Sequence, residues 1–155
     1  MFFRKKKNKQ GIPGCGLYKN LKSGHYFLES RVFDPETGGN FTWGNLLEIT
    51  ELEMQKEGLS IILKDLDAYH DRIADGNSQI DKMSQEEYST FFKKHDNVNI
   101  SFNEKHQLLL SPMKMDSRGF GAGKQEDQIL VDLHCSNDEF YHALTEAFKT
   151  CETFH

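Results

Sequence analysis

The chain has 155 residues, of which 37% are hydrophobic, 12% aromatic and 28% charged, and its formal net charge is −5 at pH 7. This length fits one domain, and the composition excludes a wholly disordered chain and, since no apolar stretch is long enough, a membrane-spanning one. The charge is +7 over residues 1–28, −9 over residues 29–87 and −3 over the remainder. Such asymmetry indicates charged partners rather than a particular fold.

The N-terminal segment differs in composition from the rest of the chain. It begins MFFRKKKNKQ and continues with glycines and a proline where a secretory signal would need an apolar run, so we predict no signal peptide. We expect a basic, glycine-containing and partly flexible segment at residues 1–22 and a single globular domain at residues 23–155, with residues 1–10 dispensable for folding. The three cysteines have no C-x-x-C spacing, which favours reduced thiols and a cytoplasmic protein.

The first predicted elements form a β-hairpin. Ordered structure is expected to begin near His25, because residues 25–33 alternate well enough for a half-buried strand. The turn-forming sequence DPETGGN follows this strand and leads into a second apolar run at residues 41–49. A strand, a turn cluster and a second strand are the signature of a hairpin.

A long amphipathic helix is predicted over residues 51–73. Thr50 stands three residues before Glu53, which is the spacing of a capping box at a helix start. Gly58 costs about 1 kcal/mol relative to alanine inside a helix and is a point at which the helix can divide in two. One face is expected to be buried, and its apolar side chains are Leu52, Leu59, Ile62, Leu63, Leu66, Tyr69 and Ile73.

The second half of the chain returns to strands. Two further capping boxes, at Ser84 with Glu87 and at Ser136 with Glu139, each predict a helix start. The remaining predicted elements are a helix that ends near residue 94, strands at 98–102, 106–115 and 128–135, and a final helix at about 137–150. The order ββααβββα, without βαβ alternation, predicts an α+β fold with an antiparallel sheet covered by two or three helices.

The glycine-rich sequence RGFGAGK, residues 118–124, is the strongest chemical motif. A phosphate-binding P-loop requires glycine where Arg118 stands and serine or threonine where Gln125 stands, and a helix must follow it, whereas a strand pattern follows here. We therefore interpret the segment as a mobile loop between two strands. Arg118, Phe120 and Lys124 on this loop are candidates for contact with a partner.

Seven histidines and three cysteines supply the candidate metal ligands and nucleophiles. None of them stands at a spacing typical of a zinc site or of a Cys–His pair. Cys151 lies on the apolar side of the last predicted helix, where a packed thiol is the ordinary outcome. We therefore predict no metal, no cofactor, no catalytic residue and no enzymatic activity.

Carboxylates along the long helix are the most informative candidates. They are Glu53, Glu57, Asp67, Asp71 and Asp75, and the last three repeat every four residues. Like charges at this spacing cost a few tenths of a kcal/mol each. The row of carboxylates is either a solvated face, partly neutralised by Lys64 and Arg72, or a surface complementary to a basic protein.

The segment FTWGNLLEITELEMQKEGLSIILKDLDAYHDR, with the general character of the chain, resembles small bacterial immunity proteins. These proteins neutralise the toxin domains of contact-dependent growth inhibition and related polymorphic toxin systems. The resemblance implies a cytoplasmic domain without catalytic residues that binds a cognate toxin domain, in many cases a nuclease, and occludes its active site. It implies no membrane partner and no direct contact with nucleic acid. The five carboxylates, with Arg118 and Phe120, are the residues predicted to contact the toxin.

Two other functional classes remain open. The first is a small cytoplasmic enzyme or ligand-binding domain with a pocket lined by Phe and Tyr side chains. The second is a nucleic-acid-associated adaptor that uses the basic residues 4–9, for which the acidic body is unfavourable. A convergent pocket with strongly shifted titratable groups would favour the enzyme, whereas an acidic surface without a pocket would favour the inhibitor.

Overall fold

The computed structural model describes residues 11–103, 105, 107–116 and 119–152. Within these residues the element order is βββααββββα, so the predicted α+β class is confirmed and two more strands are present than were predicted. The strands are β1 (Gly14–Asn20), β2 (Tyr26–Phe33), β3 (Asn40–Ile49), β4 (His95–Phe102), β5 (Leu108–Asp116), β6 (Gly119–Ala122) and β7 (Ile129–Val131). The helices are α1 (Glu51–Asp67), α2 (Gln85–Lys93) and α3 (Asn137–Lys149), with 3-10 turns at Tyr69–Asp71 and Gln125–Asp127.

The strands form one antiparallel sheet in the order β3-β2-β1-β4-β5-β6, and β7 pairs with the edge of β5 opposite β4. Leu17, Val98 and Leu110 point to one face of the sheet and are buried there under α1 and α3. Tyr18 follows Leu17 in β1 and therefore points to the opposite face, where it contacts Phe91 of α2. We call these the α1/α3 face and the α2 face.

All three predicted capping boxes are present. In each, the glutamate backbone N–H donates to the cap hydroxyl over 3.1 Å, and the cap backbone N–H donates to the glutamate carboxylate over 2.9 Å. Each cap contributes about 1 kcal/mol, because it satisfies two N–H groups that the helix leaves without partners. The local sequence therefore determines where each of the three helices begins.

Helix α1 is shorter than predicted, and Gly58 does not divide it. The helix ends at Asp67 rather than at residue 73. Gly58 is buried, and a Cβ atom there would lie 2.6 Å from Met54 Sδ and 3.5 Å from Phe140 Cε2 of α3. The glycine thus allows α3 to pack closely on α1, and Asn137 adds hydrogen bonds from α3 to the α1 backbone at this point.

The predicted apolar face of this helix is also partly wrong. Leu59, Ile62 and Leu66 are buried as expected. Leu52 is 58% exposed and Ile73 is 81% exposed, because Leu52 lies off the buried phase of the helix and Ile73 lies beyond its end. Met54 and Gly58 complete the buried face instead.

The expectation that ordered structure begins near His25 is wrong. Strand β1 lies inside the sheet between β2 and β4 and pairs with both, although its sequence GCGLYKN has little intrinsic strand preference. A Cβ atom at Gly16 would lie 2.4 Å from Glu29 Oε1 and 2.8 Å from Arg31 Nη2. The glycine therefore provides the space for a buried polar pair. The basic residues 1–10, with the predicted dispensable tail, lie outside the described residues.

The prediction of a mobile loop at residues 118–124 is wrong over Gly119–Ala122, which forms β6 and pairs with the end of β5. The predicted hairpin of β4 and β5 is confirmed, with Pro112 opposite Val98. The strand predicted at 128–135 is only three residues long, Ile129–Val131. Arg118 lies outside the described residues.

Candidate functional site

The five predicted carboxylates are all exposed, but they do not share one helix face. Glu53, Glu57 and Asp67 belong to α1, whereas Asp71 lies in the following 3-10 turn and Asp75 in the loop after it. Because α1 ends at Asp67, the four-residue spacing of the last three carboxylates does not place them in a line. Their contact with a partner stays a prediction.

Glu53 has a structural role in addition to its exposed charge. Hydrogen bonds from the Thr50 backbone and hydroxyl stabilise its charged form and lower the pKa of this carboxyl. Glu57 and Asp67 take part in none of the ion pairs found within the described part of the chain. Of the three predicted contact carboxylates on α1, Glu57 and Asp67 therefore have neither a capping role nor an ion pair among the described residues.

A buried ion pair fixes the chain where α1 ends. Arg72 Nη2 lies 2.8 Å from Asp65 Oδ1, and the two side chains are only 7% and 8% exposed. Arg72 Nη1 also donates to the Arg31 carbonyl oxygen of β2 over 2.8 Å. Its guanidinium carbon lies 4.9 Å from the centre of the Trp43 ring, and Ser30 of β2 bonds to the Asp65 carboxylate. Arg72, predicted to neutralise an exposed helix face, instead ties the end of α1 to β2 and β3.

Large apolar side chains are exposed on β3. Phe41 is 48% exposed and Leu47 is 52% exposed, and Trp43 between them is partly buried. Phe41 pairs with Val32, Trp43 with Ser30 and Leu47 with Leu28, so all three point to the α1/α3 face. None of the three is among the contact residues predicted from the sequence, although the alternation of apolar side chains at 41 and 43 is a usable signal. Their exposure depends on how far α1 extends over the sheet, which is not a local property.

Phe120, the remaining predicted contact residue, lies on the α2 face. Its ring centre is 5.6 Å from that of Tyr18 and 4.8 Å from that of Phe92. Phe91 packs on Tyr18 as well, so these aromatic rings pack against one another beneath α2. Phe120 and the α1 carboxylates therefore lie on opposite faces of the sheet and cannot belong to one continuous contact surface.

A polar cluster lies beside these rings on the α2 face. Arg31 Nη2 donates to Glu29 Oε1 over 3.2 Å and to Asn99 Oδ1 over 2.7 Å. The Tyr18 hydroxyl donates to Glu29 Oε1 over 3.4 Å, and burial together with the Glu29 charge raises the pKa of Tyr18 well above its ordinary value. Glu29 is thus paired with a guanidinium and a protonated phenol, an arrangement that stabilises the sheet.

His95 is held as one neutral tautomer. Its Nδ1 lies 2.7 Å from the Phe91 carbonyl oxygen, which can only accept, so Nδ1 carries the proton. Its Nε2 then accepts from the Asn20 amide over 3.3 Å. Burial lowers the pKa of His95, although the bond to Phe91 acts in the opposite direction. Both ring nitrogens are used to join α2, β1 and β4, so neither is free for catalysis.

Grooves lie beside α1 and beside α2 in the described part of the chain. One, of about 480 Å³, lies between α1 and the start of α3 and is lined by Leu63, Asp67, Cys135 and Asn137. Burial raises the pKa of Cys135, so its thiol is not an activated nucleophile. The other, of about 590 Å³, runs beside α2. Among the residues that the structure describes, no group of three or more His, Cys, Asp or Glu side chains is placed to hold a metal ion.

Comparisons with known proteins inform the fold alone. No protein-family model matches the chain, and no curated protein matches it. The fold is similar to that of a protein of unknown function from Neisseria meningitidis, NMB0488, with a TM-score of 0.66 and 15% sequence identity. The similarity covers 98% of this chain and 100% of that one. No helix in the described ranges is long and apolar enough to cross a membrane.

Proposed function

We propose that this protein is a cytoplasmic immunity protein that binds a cognate bacterial toxin domain, a nuclease, and neutralises it by covering its active site. One observation carries the proposal: the unit formed by β3 and α1 exposes carboxylates and large apolar side chains together. Protein interfaces combine an apolar centre with a polar rim, and the same unit contains the segment that resembles immunity proteins.

The charge of this unit supports a basic partner. Residues 29–87 have a net charge of −9, and Glu57, Asp67, Asp71 and Asp75 within them are exposed. A nuclease binds phosphates in a basic cleft, so an acidic protein surface can occupy the same cleft and exclude the substrate. Complementary charge also accelerates association, which matters for a protein that must reach a toxin before the toxin acts.

The polar groups on the α2 face support a binding protein rather than an enzyme. His95, Glu29 and Tyr18 are all engaged in hydrogen bonds within the fold, and the aromatic rings pack on one another. Catalysis requires groups that converge on a substrate with pKa values suited to proton transfer or attack. The hydrogen bonds of these groups instead join strands of the sheet to one another and to α2.

The proposal predicts that a large secreted protein is encoded directly upstream of this chain, and the test uses the C-terminal fragment of that protein. Co-expression with wild-type protein should restore growth of a host that the fragment otherwise inhibits, and the two proteins should co-purify. The association rate should fall steeply between low salt and about 0.5 M salt, because exposed charges are screened. Lack of protection together with lack of binding would contradict the proposal and favour the ligand-binding alternative.

A further inference from the structure

The exposed apolar side chains of β3 form a strip along one edge of the sheet. Phe41, Trp43 and Leu47 lie on the same face of β3, which is the terminal strand of the sheet. Arg72 lies over Trp43, and Ile73, the next residue along the chain, is 81% exposed. We call Phe41, Trp43 and Leu47 the β3 strip.

Helix α1 forms one side of this strip. Asp65 contacts Ser30 of β2 and Arg72, so it marks the side of α1 that faces β3. Ile61 stands four residues before Asp65, about 40° away around the helix, and Glu57 stands eight residues before it, about 80° away. Asp67 lines the groove with Cys135 and Asn137, so it lies on the side that faces α3. Glu57 is about 80° from Asp67 as well, so it projects between the β3 side and the α3 side of the helix.

The carboxylates nearest the strip give it an acidic rim. Glu57 stands on the α1 side, Asp71 directly precedes Arg72 in the chain, and Asp75 is two residues beyond Ile73. All three are exposed. An apolar surface bordered by carboxylates is complementary to an apolar side chain surrounded by lysine or arginine.

The backbone edge of β3 is closed in the middle of the strip. Gln79 donates its N–H to the Gly44 carbonyl oxygen, and its side-chain oxygen accepts from the Leu46 N–H, both over 2.9 Å. The pairing register with β2 shifts at this place, and Gly44 has a φ of +70°. A partner strand cannot extend the sheet through these bonded groups, so recognition here has to use side chains.

From this arrangement we infer that the β3 strip is the centre of the contact with the toxin domain, and that the toxin presents an apolar anchor surrounded by basic residues to it. The inference rests on the proposed function. Phe41 and Leu47 supply the apolar contact, whereas Glu57, Asp71 and Asp75 supply the charge around it. Asp67 contributes to long-range attraction only.

Leu47 of β3 and Leu130 of β7 are almost equally exposed, at 52% and 53%, and therefore provide a matched test. Leu47→Ser removes part of the strip, and Leu130→Ser changes a leucine on β7, which is separated from β3 by several strands. Dissociation of the upstream toxin fragment should be at least tenfold faster with Leu47→Ser and with Phe41→Ser, and changed less than threefold with Leu130→Ser. If all three variants bound the toxin fragment as tightly as wild type, the strip would not be the contact surface. Equal weakening of binding by all three variants would overturn the inference as well.

A charge pair gives a second test that does not disturb the core. Glu57→Lys and Asp67→Lys make the same change at positions about 80° apart around α1, and Glu57→Lys, which is nearer to β3, should slow association at least fivefold and by more than Asp67→Lys does. If wild-type protein binds the toxin fragment and Asp67→Lys is the more damaging variant, the strip is refuted while the immunity function stands. If wild-type protein fails to bind the toxin fragment, both the contact at the strip and the immunity function are refuted. A homodimer that Leu47→Ser dissociates would show that a second copy covers the strip, which would also overturn the inference.

Discussion

Replacement of Arg72 by methionine should destabilise the protein more than any other single change near the β3 strip. The guanidinium forms an ion pair with Asp65, donates to two backbone carbonyl oxygens, and lies over Trp43. Methionine keeps the length and apolar packing of the side chain but provides none of these donors. Asp65 would then be a buried carboxylate without its cation.

The expected loss follows from the burial of this pair. Removal of one partner from a buried ion pair costs about 3–5 kcal/mol, because the remaining charge is uncompensated. For a domain of this size each kcal/mol lowers the midpoint temperature by about 2–4 °C, so the total shift is about 6–20 °C. Replacement of both partners, Asp65→Leu with Arg72→Met, should recover most of this loss, since an apolar pair of similar volume is often as stable as the ion pair.

Urea denaturation followed by circular dichroism measures these free energies, and a double-mutant cycle isolates the coupling between the two side chains. Trp43 fluorescence should shift to longer wavelength in Arg72→Met, because Arg72 no longer covers the ring. Two results would refute the claim that this ion pair ties the end of α1 to β2 and β3. One is a loss below about 1 kcal/mol for Arg72→Met, and the other is no recovery of stability in the double variant.

Two further predictions concern the α2 face. Gly16→Ala should destabilise the protein by about 1–3 kcal/mol in thermal denaturation, because its Cβ would lie 2.4 Å from Glu29 Oε1, whereas Gly14→Ala, with 3.4 Å to its nearest atom, should be close to neutral. The free energy of unfolding should fall as the pH drops through about 6.5, because the unfolded chain protonates His95 more readily than the folded chain, in which burial lowers this pKa. His95→Gln, measured beside wild type at several pH values, should lack that part of the slope; equal slopes would contradict the lowered pKa of His95.

Helix starts could be predicted from the sequence because their causes are local. Thr50, Ser84 and Ser136 each form the predicted capping box with a glutamate three residues later. The end of α1 could not be predicted, since it depends on Arg72 reaching Asp65 and the β2 backbone. The apolar pattern up to Ile73 continued past this point and suggested a longer helix.

Strand β1 was missed because its cause is non-local. Leu17 is opposite Val98, eighty-one positions along the chain, and opposite Leu28 on the other side. A strand with two glycines is stable between such neighbours because Gly16 makes room for Glu29 and Arg31. The sequence of the strand itself does not indicate either partner strand, so its glycines predict a loop.

The candidate site was only partly predictable. Exposure of Glu57 and Asp67 followed from charge and helical spacing, and the structure confirms it. The position of Asp67 beside the start of α3 requires the packing of the two helices, and exposure of Phe41 and Leu47 requires the width of the sheet relative to the helices. These are properties of packing, so no local pattern could supply them.

The most direct measurement uses the single tryptophan of the chain, which lies within the β3 strip. Protein labelled with 5-fluorotryptophan has one protein resonance in a fluorine NMR spectrum, from position 43. Titration with the unlabelled upstream toxin fragment should move this resonance to a new position and complete the change at one equivalent. A complex that forms, as shown by its mass, while the resonance stays in place would contradict the strip as the contact surface, and no complex at all would contradict the immunity function.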